Sequence, residues 1–508
     1  MANTVGQMAA IFFGLLTVPF YINLLGDDAF GLVSFFLSLQ AVLVIVDFGL
    51  STAVMRDISL LVAQRTERSR GRDLLRTAEV LYFGLATLVF LAFVLLSDWI
   101  STSWLQASTV DPRIIRSALL LAGGIISLRL PTILYQGFLR GLERQVVLNV
   151  TVVSITSVKA LGSIALLLWI SRSLIVFYWW LLAFSVLEIL LLIVVTWKSV
   201  GGLRGRATFR IDILKATWSF GARIGGLSIF AMIMKQMDKM LISRLLPIAQ
   251  LGYFNAASLA SHALTNITSP IQNAVFPKLS QLSSASDESA LAELFHKSCK
   301  IIAFVVSPAA SILAFYSHDI LLIWTQSSTL SGQASTPLTI LALAMMLNTS
   351  MTMPFTLQLA AGMTWLPFRN NAVWAIVFPF FVYVLVSRYG ITGGALAWLI
   401  YNVIYFITIP AIMFRTLLIG HHWKWLSRDT LPFMVCAIAL FWSGSMLSRD
   451  AGIVWRGVAV LISGSLYLFA TLSVSRTIRG MVKTLLARKF NKVFDEKEND
   501  SNTHLNRR

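Results

Sequence analysis

Four ionisable residues interrupt one long apolar stretch, Ser219 to Arg244 (SFGARIGGLSIFAMIMKQMDKMLISR): Arg223, Lys235, Asp238 and Lys239. The stretch is long enough to cross a bilayer, where a charge at a helix centre costs roughly 2.5–3.5 kcal/mol on insertion scales. A lipid-facing helix gains nothing from four such groups, so this one is expected to face protein or water. At about 100° per residue, Arg223, Asp238, Lys235 and Lys239 fall near 0°, 60°, 120° and 160° on the helical wheel, within one half of the cylinder. Gly221, Gly225 and Gly226 would let a neighbour or a ligand approach at the Arg223 end. A charged face inside a membrane is a pathway hypothesis; the alternative is a set of snorkelling or mutually paired charges that only fix packing.

Other apolar segments carry charge as well: Asp47, Arg129, Lys159 and Glu188. The membrane interior then holds Arg129, Lys159, Arg223, Lys235 and Lys239 against Asp47, Glu188 and Asp238, an excess of cations. Asp47 and Glu188 are expected to pair structurally with Arg129 or Lys159, since leaving one member of a buried pair alone is costly. The remaining positive charge has no internal partner and requires an anion, a ligand or a lipid. Arg223 and Lys159 are read as ligand contacts, and Asp238, Asp47 and Glu188 as charge-pairing or ion-coupling groups. His262 is expected to be a satisfied core histidine.

The elements that must position these residues follow from composition. The 508 residues are 57% hydrophobic and only 13% charged, with a mean hydropathy of +0.76, which excludes a soluble enzyme. About 14 segments are long and apolar enough to span, near 5–25, 31–55, 77–97, 117–137, 147–170, 174–197, 219–243, 251–276, 299–323, 337–361, 370–387, 391–414, 430–447 and 453–474. The fold class expected is therefore an all-α integral membrane protein, with Val5 to Leu25 as a retained first span. Cys299 and Cys436 both lie in apolar spans and are expected to be free thiols.

The net charge of +18 reads as topology rather than as nucleic-acid binding. Arg and Lys concentrate in 56–76, 140–144, 198–215, 278–300, at Arg369, in 415–428 and in the tail from Arg476, while the alternate loops hold few, among them Arg113, Arg116, Arg172, Arg388 and Arg449. The basic set, and both termini, belong in the cytoplasm. No loop is long enough for a domain of its own, which needs about 50 residues. No G-x-x-x-x-G-K-[ST] loop is present to cradle ATP. His421, His422, Trp423, Lys424 and Trp425 read as an interfacial aromatic anchor rather than a metal site. Asp27 and Asp28 lack the partners of a catalytic pair. The tail from Arg476 to Phe494 has the spacing of a basic amphipathic helix on an anionic leaflet.

An internal echo links the two halves: LLGDDAFGL (Leu24–Leu32) between spans one and two, and LLPIAQLGY (Leu245–Tyr253) between spans seven and eight. An offset of six spans preserves direction, the pattern of parallel repeats with a cavity between two bundles. The expected organisation is a six-helix lobe over 1–200, a second over 201–415, an additional two-helix hairpin over 416–475 and a cytoplasmic basic tail over 476–508.

TVPFYINLLGDDAFGLVSF (Thr17–Phe35), DFGLSTAVMRDIS (Asp47–Ser59), QGFLRGLERQ (Gln136–Gln145) and MDKMLISRLLPIAQLGYFNAAS (Met237–Ser258) resemble the bacterial O-antigen and exopolysaccharide repeat-unit flippases. Those belong to the multidrug/oligosaccharidyl-lipid/polysaccharide (MOP) exporter superfamily. The resemblance covers spans one to twelve in order. It implies two six-helix lobes around an alternately open cavity, and an undecaprenyl-pyrophosphate-linked oligosaccharide as cargo. Cationic cavity residues would meet the pyrophosphate or acidic sugars, and Arg223, Lys235 and Lys239 match by location. It further implies the bacterial inner membrane, contact with membrane lipids, and a polysaccharide polymerase and chain-length regulator as protein partners. No cofactor, metal, nucleic acid or catalytic residue is expected; a coupling ion, H+ or Na+, is left open. A cation-coupled multidrug antiporter of the same superfamily and a lipid II flippase are the alternatives.

Overall fold

The computed structural model describes residues 2–47, 49–64, 68–107, 109–200 and 207–480, with side chains described outside 2–11, 44–45, 68–69, 214, 216, 219–220, 222–228 and 231. Backbone N–H and C=O groups in lipid must be paired within the chain, and here they are paired as helix. No strand occurs among the described residues; Gln106 and Pro247 form an isolated bridge.

The chain forms two compact units, one of Met1–Ala260, Ile320–Leu338 and Pro367–Ala397, the other of Ser261–Asp319, Thr339–Leu366 and Trp398–Arg508. The elements run α1 (Ala2–Leu25), α2 (Asp27–Val42), α3 (Val44–Asp47), α4 (Leu50–Ala63), α5 (Arg68–Trp99) with a π-turn at Ile100–Trp104, α6 (Pro112–Gly141), α7 (Gln145–Trp169) and α8 (Leu174–Ser199). They continue as α9 (Ile211–Leu245), α10 (Ile248–Ser284), α11 (Glu288–Phe315), α12 (Ser317–Thr325), α13 (Ser328–Ser350), α14 (Thr352–Ala360) and α15 (Trp365–Met413). α16 (His422–Lys424), a π-turn at Trp425–Thr430, α17 (Leu431–Leu447) and α18 (Ile453–Val474) complete the described chain.

The apolar segments read from the sequence fall on these helices. Among the described residues nine helices are long and apolar enough to cross a membrane, and α1 contributes a shorter apolar stretch at Phe12–Leu25. Of the two long helices outside the nine, α10 carries many polar side chains, and part of α9 lies outside the described side chains. The second expected span is broken rather than continuous: Gly49 takes a left-handed conformation (φ +72°) between α3 and α4, a geometry that glycine adopts without steric cost. α15 bends at Gly390 (φ +60°), which divides it into two helical arms. Its outer apolar side chains, such as Ile376, remain exposed in the isolated chain, as do Leu95 on α5 and Trp169 on α7. Those are lipid-facing surfaces, and the molecule is a multi-pass membrane protein.

In the first unit α6 is the packing centre. Asp111 caps it by accepting the Arg113 N–H at 2.7 Å, and small residues then let neighbours come close. A Cβ on Gly141 would lie 1.9 Å from Ile58 Cγ2, and one on Gly123 2.6 Å from Phe93 Cβ, so α4 and α5 pack against nearly bare helix backbone. Glu79 of α5, buried, accepts from Tyr135 Oη of α6 at 2.6 Å and Trp197 Nε1 of α8 at 2.7 Å. That carboxylate ties three helices together.

In the second unit Asp287 caps α11 by accepting the Ala290 N–H at 3.1 Å. Arg456 Nη1 donates to Asp319 at 2.7 Å, and Tyr467 Oη donates to the Phe304 carbonyl at 3.0 Å, tying α18 to α11.

Candidate functional site

The first unit contains a cavity of about 360 Å³. α1, α2, α6, α7, α8 and the first turns of α10 line it, chiefly with apolar and aromatic side chains, Tyr21, Phe30, Phe36 and Phe177 among them. Gln40, Asn255 and Lys159 supply polar atoms. Packing fixes the rings: Tyr21 meets Phe177 edge-on with centroids 4.9 Å apart, and Tyr21 Oη shares a 2.7 Å hydrogen bond with Ser163 Oγ. An apolar wall with a few placed polar groups is the usual make-up of a ligand site.

Lys159 is the cavity's cation. Its Nζ donates to Ser185 Oγ at 3.0 Å and stands 4.0 Å from Glu188 Oε2. Arg129 Nη1 approaches the other oxygen of the same carboxylate at 3.7 Å. The structure therefore brings Arg129, Lys159 and Glu188 together, on α6, α7 and α8. One carboxylate serves two cations, and the cluster keeps one positive charge. Neither ion pair is at hydrogen-bond distance, so Lys159 retains donor capacity toward the cavity.

Asp47 is placed differently from the sequence expectation. It does not pair with Arg129 or Lys159; it accepts hydrogen bonds from Tyr82 Oη and from the N–H and hydroxyl of Ser51. Neutral donors satisfy it because the interruption between α3 and α4 leaves its side chain beside Ser51 in the first turn of α4, with Tyr82 reaching it from α5. Asp238 on α9 is buried and accepts the Lys239 N–H at 2.8 Å. Lys235 is exposed and Lys239 half-buried, and neither lines the cavity. The Arg223 side chain, with Gly225 and Gly226, lies outside the described residues, as does the tail from residue 481.

The echoed turns meet directly. A Cβ on Gly31 would lie 2.1 Å from the Ile248 carbonyl oxygen, and one on Gly252 2.7 Å from Phe30 Cδ1 and 3.2 Å from Gly31 N. The starts of α2 and α10 thus touch backbone to backbone beside the cavity's Phe30 and Asn255. A strap after α5 covers the same end. Ile248 N–H donates to the Gln106 carbonyl at 2.8 Å, Trp104 Nε1 to Ser243 Oγ at 3.1 Å, and Arg244 Nη1 to the Ser103 carbonyl at 2.6 Å. Asp28, read from sequence as lacking the partners of a catalytic pair, is buried and accepts from both N–H and hydroxyl of Thr109 at 2.7 and 2.8 Å.

Two further readings change. His262 is exposed in the chain rather than part of the core, with its ring 6.4 Å edge-on from Trp398. In the His421–Trp425 cluster Trp423 and Lys424 are exposed as an interfacial anchor would be, whereas Trp425 is fully buried and His421 Nδ1 is 2.7 Å from His296 Nε2. Residues so far apart in sequence give no spacing signal, and the aromatic cavity wall was equally silent because its rings come from separate spans. Among the described residues no group of three or more His, Cys, Asp or Glu is arranged to hold a metal ion.

Comparison with known proteins agrees with this architecture. A family model described as "Polysaccharide biosynthesis protein" matches residues 23–331, more than half of the chain. A candidate O-antigen transporter of Shigella flexneri is 23% identical over 398 residues, 78% of this chain and 92% of that one. Among solved structures, the lipid II flippase MurJ in an inward closed conformation aligns with a TM-score of 0.70 at 15% identity, over 94% of this chain and 98% of that one. An inward-facing multidrug resistance transporter of the MATE family, of the MOP superfamily, aligns with a TM-score of 0.67 at 11% identity, over 81% of this chain and 96% of that one. The fold is the one these transporters share.

Proposed function

The chain belongs to the polysaccharide biosynthesis protein family, and from that premise we propose that it moves a polyprenyl-pyrophosphate-linked oligosaccharide between membrane leaflets, for O-antigen, capsule or exopolysaccharide assembly. The direction is from the cytoplasmic to the periplasmic leaflet of the bacterial inner membrane, by alternating access, with 1–200 and 201–415 as the moving lobes and the hairpin 416–475 appended. The observation that carries this reading is the cluster of Arg129, Lys159 and Glu188, which leaves a net positive charge on an aromatic-walled cavity. Lys159 suits a phosphate or acidic sugar, and flat rings suit the faces of sugars. The cation-antiporter alternative calls for a carboxylate open to the cavity. Asp47, Glu79 and Glu188 all have partners, and no carboxylate lines the cavity among the described residues.

Lys159→Met preserves the aliphatic stem and removes the charge. A hydrogen bond to a charged group is worth about 1.5–3 kcal/mol, so export should fall by about 10- to 100-fold. Surface polymer and lipid-linked intermediates are measured in the same cells, with membrane abundance as control; intermediates should accumulate, and Lys159→Arg should retain much of the activity. Wild-type export by an abundant Lys159→Met protein removes Lys159 from the substrate path.

The sidedness rests on the basic loops. Reporter fusions after Arg70 should behave as cytoplasmic, and fusions after Gln106 and Ser328 as periplasmic. The opposite pattern inverts the direction of transport assigned above.

A further inference from the structure

The second unit holds a chain of titratable groups that transport of the cargo does not use. Asp429, in the π-turn before α17, is fully buried. Its Oδ2 is hydrogen-bonded to Nδ1 of the buried His296 on α11, and Lys300 Nζ lies 3.4 Å from its Oδ1. His296 Nε2 is 2.7 Å from His421 Nδ1, with the two rings 5.0 Å apart and 27° from parallel. His421 opens onto a surface pocket of about 620 Å³.

The proton positions follow by elimination. A carboxylate only accepts, so His296 Nδ1 carries a hydrogen toward Asp429. In a neutral His296 the Nε2 is then an acceptor, and His421 Nδ1–H must be the donor. One added proton is accommodated: it binds His421 Nε2 while the His421 Nδ1 hydrogen passes to His296 Nε2, so that His296 is an imidazolium donating to Asp429 at one nitrogen and to His421 Nδ1 at the other. A second added proton is not accommodated. Two imidazolium rings put two hydrogens between nitrogen atoms 2.7 Å apart, and the contact must break.

We infer that Asp429, His296 and His421 form a proton-binding clasp that ties the segment between α15 and α17 to α11 and lets go when both rings are protonated. The surrounding charges set where that happens. Glu288, Glu293, Lys297 and Lys300 on α11 and Lys424 on α16 share the pocket with His421; Cys299 precedes Lys300, Arg428 precedes Asp429, and His422 stacks on Phe414. Burial, then His296 and then Lys424 hold the His421 pKa below the ordinary histidine value, against the opposing pull of Glu288 and Asp429. A histidine whose folded pKa is lowered resists its charge, so the clasp is intact at neutral pH and is lost as pH falls below about 6.5. The clasp lies on the basic side of the unit, which the topology above makes cytoplasmic, so the signal it reads is acidification of that compartment.

The test is a distance measurement that needs no substrate, so its outcome is separable from the transport reading. Spin labels at Ser289→Cys and Trp423→Cys, both exposed positions, are placed in the full-length protein carrying Cys436→Ser, reconstituted in nanodiscs. The short distance should dominate near pH 7.5 and lose most of its population near pH 5, about 1.5 units below the ordinary histidine pKa. His421→Asn keeps an N–H for His296 but cannot charge, and should hold the short distance at both pH values. His421→Ala should give the long distance at both. A wild-type distribution that does not change with pH, or a His421→Asn protein that opens as wild type does, overturns the clasp.

Discussion

Gly31→Ala should abolish export while leaving the protein in the membrane. The added Cβ would fall 2.1 Å from the Ile248 carbonyl oxygen and 3.0 Å from the Ala249 nitrogen. Both are backbone atoms in the first turn of α10, so no rotamer change relieves the clash; α2 and α10 must part by more than an ångström. Overpacking of this kind costs about 1–3 kcal/mol or more. On the alternating-access cycle proposed above, that cost falls on the joined state alone. The variant is therefore expected to rest with this end open. A cysteine at Ala29, buried in the joined state, should react with a membrane-impermeant thiol reagent about tenfold faster or more, the factor that ~1.4 kcal/mol gives. Gly252→Ala should be milder, because its nearest obstacle is the Phe30 ring edge, which can shift. Unchanged reactivity together with unchanged export in Gly31→Ala would mean that the contact does not take part in the cycle.

Glu188→Ala is expected to be the most damaging substitution in the cavity cluster. It leaves Arg129 and Lys159 facing each other with no counterion, whereas the wild type has one carboxylate 3.7 and 4.0 Å from them. Removing one side of a fully buried ion pair costs about 3–5 kcal/mol, and the cost here is smaller because the Arg129 side chain is 40% exposed. Membrane abundance and thermal stability in detergent should both drop. Removing a cation as well, in Glu188→Ala/Arg129→Met, should restore much of the stability, since Lys159 keeps its bond to Ser185. If the single variant is as stable as wild type, the cluster is solvated and the net-charge argument for an anionic cargo loses its basis.

The helical spans were legible because an apolar run in lipid has few structural solutions. Glu188 and Lys159 were legible as ionised groups that cannot face lipid, and the echoed Gly31 and Gly252 as small residues at matching turns. What the sequence left open depends on which partner a polar group selects. Asp47 has the same charge as Glu188, but its place at the end of α3 gives it Ser51 and Tyr82, and a tyrosine on another span announces nothing by spacing. His296, His421 and Asp429 lie 125 and 133 positions apart at the ends of different spans, where histidine and aspartate are unremarkable. Arg223, the residue singled out most strongly by charge, has a side chain outside the described residues, and its role rests on the helical wheel alone.

The strap between α5 and α6 also bears on how such a chain is made. Its bonds to the end of α9 join residues 138 to 141 positions apart. Residues 103–106 leave the ribosome and reach their side of the bilayer when their docking surface, the turn at Leu246 and Pro247, has yet to be translated. At roughly 5–20 residues per second, the strap waits on the order of ten seconds before it has anything to bind. During that interval Trp104 has neither Ser243 nor Arg244 beside it, and the helices made before α9 must be stable without these bonds. The strap is therefore tied only once α9 has been made, about halfway through synthesis, and α5 and α6 must hold their places until then without it.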